Sequence, residues 1–209
     1  MPTRNVVKVY CAGGYYHVYN RGVDKMDIFR DEQDFRYFIY LLRRALGTEK
    51  MRDDSGREYK NFSELVELCA YCLMPNHFHM LLYLKEDEGI TSLMRSVMTS
   101  YSGYFNAKYR RKGPLFQNTF LASHVTREAY FWHITRYIHL NPADIGEDWR
   151  TYEFSSIKSF TGEATETWLH PEHFVETAEE RRQYEKFVDD YLDMHTTLSV
   201  IKKQLADAS

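Results

Sequence analysis

Two short apolar runs, residues 66–74 and 77–84, meet at a Pro-Asn dipeptide, and this pattern constrains the fold more than any other in the chain. Runs of that length on either side of a turn dipeptide are typical of two strands joined as a β-hairpin. In the second run, two histidines (His77 and His79) alternate with apolar residues. Side chains on a strand alternate between its faces, so the histidines share one face while the apolar side chains can pack against helices on the other.

The remaining pattern predicts an α+β sandwich. Apolar residues at helical spacing, capping residues and β-prone segments give the order β, α, β, β, α, β, followed by a further helix. Asp31 is the expected N-cap of the first helix, and Pro142 ends the last one because the residue before a proline avoids the helical region. This order fits a split βαβ arrangement, in which helices cover one face of an antiparallel sheet. Outside the hairpin, the expected strands are 15–20 and 119–124, and the expected helices are 31–47, 91–107 and 127–141.

Composition indicates the compartment and where a nucleic-acid surface would lie. No apolar stretch approaches the roughly 18 to 20 residues of a membrane span, so we expect a soluble, cytoplasmic protein without membrane association. The net charge of −3, taken over the whole chain, argues against nucleic-acid binding. However, residues 1–150 carry 21 Lys and Arg against 18 Asp and Glu, whereas residues 151–209 carry 6 against 12. A DNA-binding surface is therefore expected in the first part.

The cysteines are Cys11, Cys69 and Cys72, which are too few for a disulfide framework and suit a reducing compartment. Cys69 and Cys72 form a CxxC pattern close to the histidines, which suggests zinc. Residues three apart on a regular strand point to opposite faces, however, so we expect the two thiols to diverge and not to form a zinc site.

Two residue pairs carry the candidate chemistry. His77 and His79 would point two nitrogen donors the same way, which suits a divalent metal ion, although half-buried structural histidines explain the pattern equally well. Tyr137 and Asn141 are placed to lie one above the other on a helix face. A phenol, with a reference pKa of about 10, becomes a useful nucleophile only with help from a cation and from positioning. Asn141 could offer an amide oxygen to the same metal, yet a tyrosine at a core edge and an asparagine at a helix end is the simpler interpretation of this pair alone.

Several separate motifs agree with one family. The sequence resembles the single-tyrosine HUH transposases, which include insertion-sequence transposases and REP-associated tyrosine transposases. The motifs come in the family's order and span about residues 15–162. They are YHVYNRG (16–22), IFRD (28–31), AYCLMPNHFHMLL (70–82), KGPLFQNTF (112–120), RYIHLNP (136–142) and FSSIKSF (154–160).

The resemblance implies a ferredoxin-like, RRM-like βαββαβ sandwich with an added helix that carries the catalytic tyrosine. It implies that His77, His79 and Asn141 hold Mg2+ or Mn2+, and a pair of imidazoles favours Mn2+. It also implies that Tyr137 cleaves single-stranded DNA, often beside a hairpin. The products would be a 5′-phosphotyrosine link and a free 3′-hydroxyl that can later rejoin strands.

Recognition of single strands should use cations for phosphates and aromatic rings for stacking. Tyr15, His17 and Tyr19 share one face of the first strand. If that strand neighbours the histidine strand, they would stack on bases or support the metal site, unless they pack in the core. The phosphate candidates are Arg110, Arg111 and Lys112 in the most basic stretch, with Arg21 and Lys108 next.

The expected division is a nuclease domain at 1–162 and an acidic extension at 163–209 with a long amphipathic helix. Apolar residues of the extension recur in a heptad stripe. The stripe favours a helix that packs on its own domain over one that self-associates to form a homodimer. Its members are Tyr184, Phe187, Tyr191, Met194, Leu198, Ile201 and Leu205.

Three functional hypotheses follow. The leading one is an enzyme that nicks and rejoins single-stranded DNA, which the intact set of two histidines, tyrosine and asparagine favours. The second is a catalytically silent nucleic-acid-binding module of the same fold. The third is a metal-dependent hydrolase in which water, and not tyrosine, attacks the phosphodiester.

Overall fold

The computed structural model of the chain describes residues 10–125 and 131–191. None of the helices in these ranges is long and apolar enough to cross a membrane. The order of the first six elements is β, α, β, β, α, β, as expected. The strands are β1 (Tyr15–Arg21), β2 (Val66–Met74), β3 (His77–Leu84) and β4 (Leu121–Val125), and the helices are α1 (Glu32–Leu46), α2 (Gly89–Lys108), α3 (Phe131–Leu140), α4 (Ile157–Thr161) and α5 (178–191).

The four strands form one antiparallel sheet in the order β2-β3-β1-β4. β1 therefore neighbours the histidine strand, β3, and its register pairs Tyr19 with His79 and Arg21 with His77. Directly paired residues point to the same face of a sheet, so these four side chains line one face. The sheet and its helices confirm the α+β class.

Different parts of the chain cover the two faces of the sheet. On one face, α1 and α2 pack over β3 side chains such as Phe78 and Met80 in the larger core cluster. On the histidine face, Ile138 of α3, Phe160 of α4 and Tyr184 of α5 join a second cluster that includes residues of β2 and β3. The sandwich pattern placed helices on the opposite face only, and the family resemblance implied that the tyrosine helix reaches the histidines. In the structure, the chain after residue 130 returns to cover the histidine face over β2 and β3.

The starts of two elements differ from the expectation by two residues. α2 begins at Gly89, before the expected cap Thr91, and β4 begins at Leu121, a little later than expected. A Cβ at Gly89 would lie 2.6 Å from the carbonyl oxygen of Leu65. α2 therefore begins where Gly89 packs closely against the residue before β2, and no side chain caps the helix. The expected start of the last helix, at residue 127, lies outside the described residues.

The two hairpin cysteines do not diverge as expected. The register of β2 against β3 shifts between Leu68 and Ala70, so Cys69 lies in a β-bulge. Cys69 and Cys72 consequently belong to the same core cluster, where both are fully buried. Burial raises the pKa of both thiols, which therefore act as small apolar core residues.

The described part of the C-terminal stripe packs on its own domain. Tyr184 is fully buried, and its hydroxyl lies 2.6 Å from Nδ1 of His139 on α3. The Arg136 guanidinium lies over the rings of Phe187 and Tyr191 at 4.1 and 4.0 Å. The stripe from Met194 onward lies outside the described residues, and the domain division at residue 162 stays a prediction.

A buried carboxylate holds the start of α1. Asp31 caps the helix, as expected, by accepting a hydrogen bond from the backbone N–H of Asp34 at 3.1 Å. Asp34 is fully buried and accepts from the Tyr109 hydroxyl at 2.7 Å and from the Lys108 ammonium at 2.8 Å. Lys108 also pairs with Asp31. Because two carboxylates already neutralise Lys108, the structure gives no support to the prediction that it contacts DNA phosphates.

We expect Asp34→Ala to lower the free energy of unfolding by about 3 to 5 kcal/mol, because it leaves the partly buried Lys108 without its buried partner. Glu32→Ala, in the same helical turn, removes only an exposed pair with Arg36 and should cost less than about 1 kcal/mol. Urea denaturation of both variants measures the difference. Equal losses of unfolding free energy in the two variants would show that the buried ion pair stabilises the fold no more than the exposed pair does.

Candidate active site

Four side chains that the sequence singled out lie together on the histidine face. The imidazole rings of His77 and His79 are 5.0 Å apart, and the ring of Tyr137 is 5.2 Å from that of His79. Asn141 follows α3 directly, and its Oδ1 lies 3.2 Å from Nε2 of His77. β3 thus supplies two imidazoles, while α3 and the residue after it supply a phenol and an amide.

Asn76 is the hydrogen-bond partner of Nδ1 of His77. The amide nitrogen of Asn76 donates to the carbonyl oxygen of Lys25 at 3.3 Å, which turns its Oδ1 towards Nδ1 of His77 at 2.6 Å. In the tautomer in which Nδ1 donates to Asn76, Nε2 keeps its lone pair. Burial lowers the pKa of His77, so the neutral imidazole is the form present at neutral pH.

Asn141 presents its side-chain oxygen to Nε2 of His77. Its side chain is buried, and its amide nitrogen donates to the carbonyl oxygen of Tyr137 at 2.7 Å, which leaves Oδ1 facing His77. In the tautomer in which Nδ1 of His77 donates to Asn76, Nε2 of His77 and Oδ1 of Asn141 are two acceptor atoms held 3.2 Å apart. Lone pairs at this distance repel each other, and a cation that contacts both atoms removes the repulsion. The pair has the chemistry of a cation site.

His17 of β1 orients His79. Nε2 of His17 lies 2.9 Å from Nδ1 of His79, and the two rings stack with an interplanar angle of 17°. Burial lowers the pKa of His17 to about 4. Burial, and then the neighbouring His17 and His77, lower the pKa of His79 to about 2. In the tautomer in which His79 donates to His17, Nε2 of His79 is another free lone pair.

Tyr137 is the exposed member of the group, with 51% of the residue accessible to solvent. Its partial burial raises the pKa of the phenol, and the negative charge of Asp144 adds to the effect. The phenol is therefore protonated at neutral pH and has to lose its proton in order to react. On the opposite side of α3, Ile138 and His139 are fully buried, so His139 faces away from the site.

A cleft of about 560 Å³ opens beside the histidines, over the end of β1 and the start of β4. Tyr19, Arg21, Lys25 and Asn118 are among the residues that line it. The side chain of Arg21 is hydrogen-bonded to that of Gln117. α3 covers the histidine face over β2 and β3. Over the end of β1 and the start of β4, the same face is open to this cleft.

The structure separates the aromatic candidates for DNA contact. Tyr19 lines the cleft, and its ring stacks 4.9 Å from that of His17. Tyr15 lies at the other end of β1, where its ring packs against Tyr83 and its hydroxyl lies 2.7 Å from Nδ1 of His173. Tyr15 therefore packs in the core region, whereas His17 supports His79 and Tyr19 remains a stacking candidate.

The basic stretch after α2 leads to the cleft. Arg110 and Lys112 are exposed. Arg111 donates to the side chain of Asn106 and to the carbonyl oxygen of Pro114, at 3.0 Å each, and so shapes the loop. Farther along, this segment pairs with the end of β1 through a bridge between residues 22 and 116. Arg110 and Lys112 therefore remain the exposed phosphate candidates of this stretch.

The sequence did not identify three residues that lie near the histidines. Asn76 orients His77, while Lys25 and Asn118 line the cleft. A signal existed only for Asn76, which directly precedes the histidine strand. The other two come from loops whose position depends on the assembled sheet.

Comparisons with known proteins agree with the sequence motifs. The model of the IS200-like transposase family matches residues 43–141, which include all four site residues. A solved structure of a REP-associated tyrosine transposase bound to a REP hairpin is similar with a TM-score of 0.55 and 18% identity, covering 77% of this chain and 86% of its own. A proposed transposase from Deinococcus radiodurans R1 gives a TM-score of 0.39 and 16% identity over 66% of this chain and 95% of its own. No curated protein matches the chain. The match to the family model confirms the resemblance that the motifs indicated, and the REP-associated transposase structure shows the same fold.

Proposed function

Because residues 43–141 match the IS200-like transposase family, we propose that this transposase-like protein is a single-stranded DNA endonuclease and strand transferase with Tyr137 as its nucleophile. One observation carries the proposal. The exposed phenol of Tyr137 lies beside His79, next to the converging acceptor atoms of His77 and Asn141.

In the proposed reaction, the phenol oxygen of Tyr137 bonds to phosphorus while the bond from phosphorus to the 3′ oxygen breaks. The phenol releases its proton and the 3′ oxygen gains one, which gives a 5′-phosphotyrosine link and a free 3′-hydroxyl. Attack by a 3′-hydroxyl on the phosphotyrosine reverses these changes, rejoins the strands and frees Tyr137. Because the raised pKa keeps the phenol protonated, the reaction needs fixed positive charge close to the phosphate.

We propose that Nε2 of His77, Nε2 of His79 and Oδ1 of Asn141 hold a divalent metal, Mn2+ or Mg2+. When bound, such an ion polarises a phosphoryl oxygen and stabilises the negative charge that develops there. Within residues 10–125 and 131–191, no group of three or more His, Cys, Asp or Glu side chains is arranged to hold a metal, and the proposed set takes the amide oxygen of Asn141 as its third ligand. Two nitrogen donors favour Mn2+.

The neighbours of the two imidazoles support this ligand set. Metal-bound histidines usually donate their second ring N–H to another group, which fixes the tautomer and the ring orientation. Asn76 is placed to accept from His77, and His17 is placed to accept from His79. Both rings are thus prepared to present Nε2 to a cation.

Single-stranded DNA that contains a hairpin is the proposed substrate. The similar transposase structure holds a REP hairpin. The exposed Arg110 and Lys112, together with Arg21 at the cleft, offer positive charge for phosphates on the part of the chain that has a positive balance. A cytoplasmic location and a homodimer also stay proposals. The proposed site does not require the homodimer, since one chain supplies all four side chains.

A 3′-labelled single-stranded hairpin DNA, incubated with the protein and Mn2+, tests the proposed function. Attack by tyrosine links the protein to the labelled fragment, so the label should move with the protein on a denaturing gel. Cleavage without this adduct would favour the metal-dependent hydrolase. Binding without cleavage would favour the catalytically silent module.

A further inference from the structure

The cleft beside the histidines has features that the phosphodiester chemistry does not use. Its volume of about 560 Å³ falls in the range of sites that enclose a small molecule or one unit of a polymer. The turn that follows β1 forms one wall, and the segment that enters β4 forms the other. Each wall presents one polar side chain that has no role at the proposed metal site.

The first wall is a strained turn that carries Lys25. Asp24 and Lys25 both adopt the left-handed backbone region, with φ of 52° and 60°, which non-glycine residues rarely do in succession. Such strain persists only where the surroundings enforce it, often at functional sites. Here the Lys25 carbonyl oxygen accepts from Asn76, the residue that orients His77. The turn that holds the exposed Lys25 is thus tied to the histidine site.

The second wall carries Asn118. Its backbone is fixed, because its carbonyl oxygen accepts from the buried side chain of Asn20 at 2.8 Å. The amides of Asn20 and Asn76 are both used in hydrogen bonds within the protein. By contrast, the exposed side-chain amide of Asn118 makes no hydrogen bond to the described residues. A donor and an acceptor on a fixed backbone therefore face the cleft unused.

Between the two walls lies Tyr19. One neighbour of its ring is His17 at 4.9 Å, and another is His79 at 5.7 Å, both in stacked geometry. The half-exposed ring lines the cleft. Base stacking on an aromatic ring is a general way to bind an unpaired nucleotide. The cleft thus combines a stacking surface, a cation and an unused amide, which match the base face, the phosphate and the base edge of one nucleotide.

We propose that this cleft binds one unpaired nucleotide next to the phosphodiester that Tyr137 attacks. The base stacks on Tyr19, the amide of Asn118 reads the edge of the base, and Lys25 contacts a phosphate. The inference rests on the proposed function, because it assigns to the same site a nucleotide whose identity the protein selects. Asn118 is then a specificity-determining residue and Lys25 a phosphate-binding residue.

Selection of single-stranded DNA from a random oligonucleotide pool tests the proposal. The full chain carrying Tyr137→Phe is used, so that binding is measured without cleavage. We expect a base preference at one position to vanish in the added Asn118→Ala variant, with affinity for the selected DNA falling roughly 10- to 100-fold. Lys25→Gln should instead weaken all sequences alike and reduce the salt dependence of binding by about one phosphate contact. Lys186→Gln, an exposed lysine of α5, is the matched control and should change neither quantity.

The proposal is overturned if Asn118→Ala leaves every base preference intact, if the pool yields no preference at all, or if Lys186→Gln weakens binding as much as Lys25→Gln. The adduct experiment with unmodified Tyr137 separates this proposal from the proposed function. If the selected DNA forms an adduct and Asn118→Ala keeps the base preferences, only the proposal for the nucleotide cleft is wrong. If Asn118→Ala loses the base preference and the unmodified protein forms no adduct, the nucleotide cleft stands and the proposed attack by Tyr137 is wrong.

Discussion

Tyr137→Phe is expected to abolish the covalent protein–DNA adduct and to lower DNA cleavage at least about a thousandfold. The change removes only the attacking oxygen. The aromatic ring, which lies 5.2 Å from His79 and 5.8 Å from His17, keeps its contacts. Because the removed hydroxyl belongs to a residue that is half exposed, the fold and the affinity for DNA should be unchanged. The measurement is the rate at which 3′-labelled hairpin DNA becomes attached to protein, together with the affinity for the same DNA.

Tyr40→Phe is the matched control for this prediction. Tyr40 on α1 is also an exposed tyrosine, with 36% of the residue accessible, and it has no part in the proposed site. This variant should form the adduct at the normal rate. A Tyr137→Phe protein that still cleaves DNA and leaves a free 5′-phosphate would instead show that water is the nucleophile.

The second large effect is expected for His79→Ala, which should weaken Mn2+ binding by more than about 100-fold and reduce adduct formation in parallel. His79 is one of three proposed ligands, and its pKa of about 2 means that the imidazole is neutral, and so able to bind a metal, throughout the neutral range. Titration of the protein with Mn2+, followed by the electron paramagnetic resonance of free Mn2+, measures the affinity without any need for cleavage.

Two further variants sharpen the metal prediction. His17→Phe removes the proposed hydrogen-bond partner of His79 and should weaken Mn2+ binding by a smaller factor, roughly 10- to 100-fold. His124→Ala, an exposed histidine of β4 whose ring stacks on Tyr16, is the control and should bind Mn2+ normally. If His79→Ala bound Mn2+ as tightly as the unchanged protein, the proposed ligand set would be wrong.

The sequence predicted those features that local patterns determine. Alternation in the second apolar run placed His77 and His79 on one face of a strand, and the hairpin at Pro75-Asn76 formed as expected. The spacing of Tyr137 and Asn141 brought the amide back to within 2.7 Å of the Tyr137 carbonyl oxygen. These relations depend on strand and helix periodicity, which one short segment is enough to reveal.

Features that depend on the packing of distant segments were not predictable from those patterns. His17 and His79 meet only because β1 lies beside β3 in one particular register. The bulge at Cys69 reverses the expected direction of a side chain, and the alternation rule does not apply across a bulge. Lys108 was a phosphate candidate from its basic neighbours, but the assembled fold places it against the buried Asp34.

The most direct test of the central claim is to identify the amino acid that carries the DNA. After adduct formation and nuclease digestion, trypsin releases residues 137–150, a peptide whose only tyrosine is Tyr137. The account predicts that mass spectrometry finds a residual 5′-phosphonucleotide on this peptide. Nucleotide mass on a peptide that contains Tyr19, or cleaved DNA with no modified peptide, would contradict it.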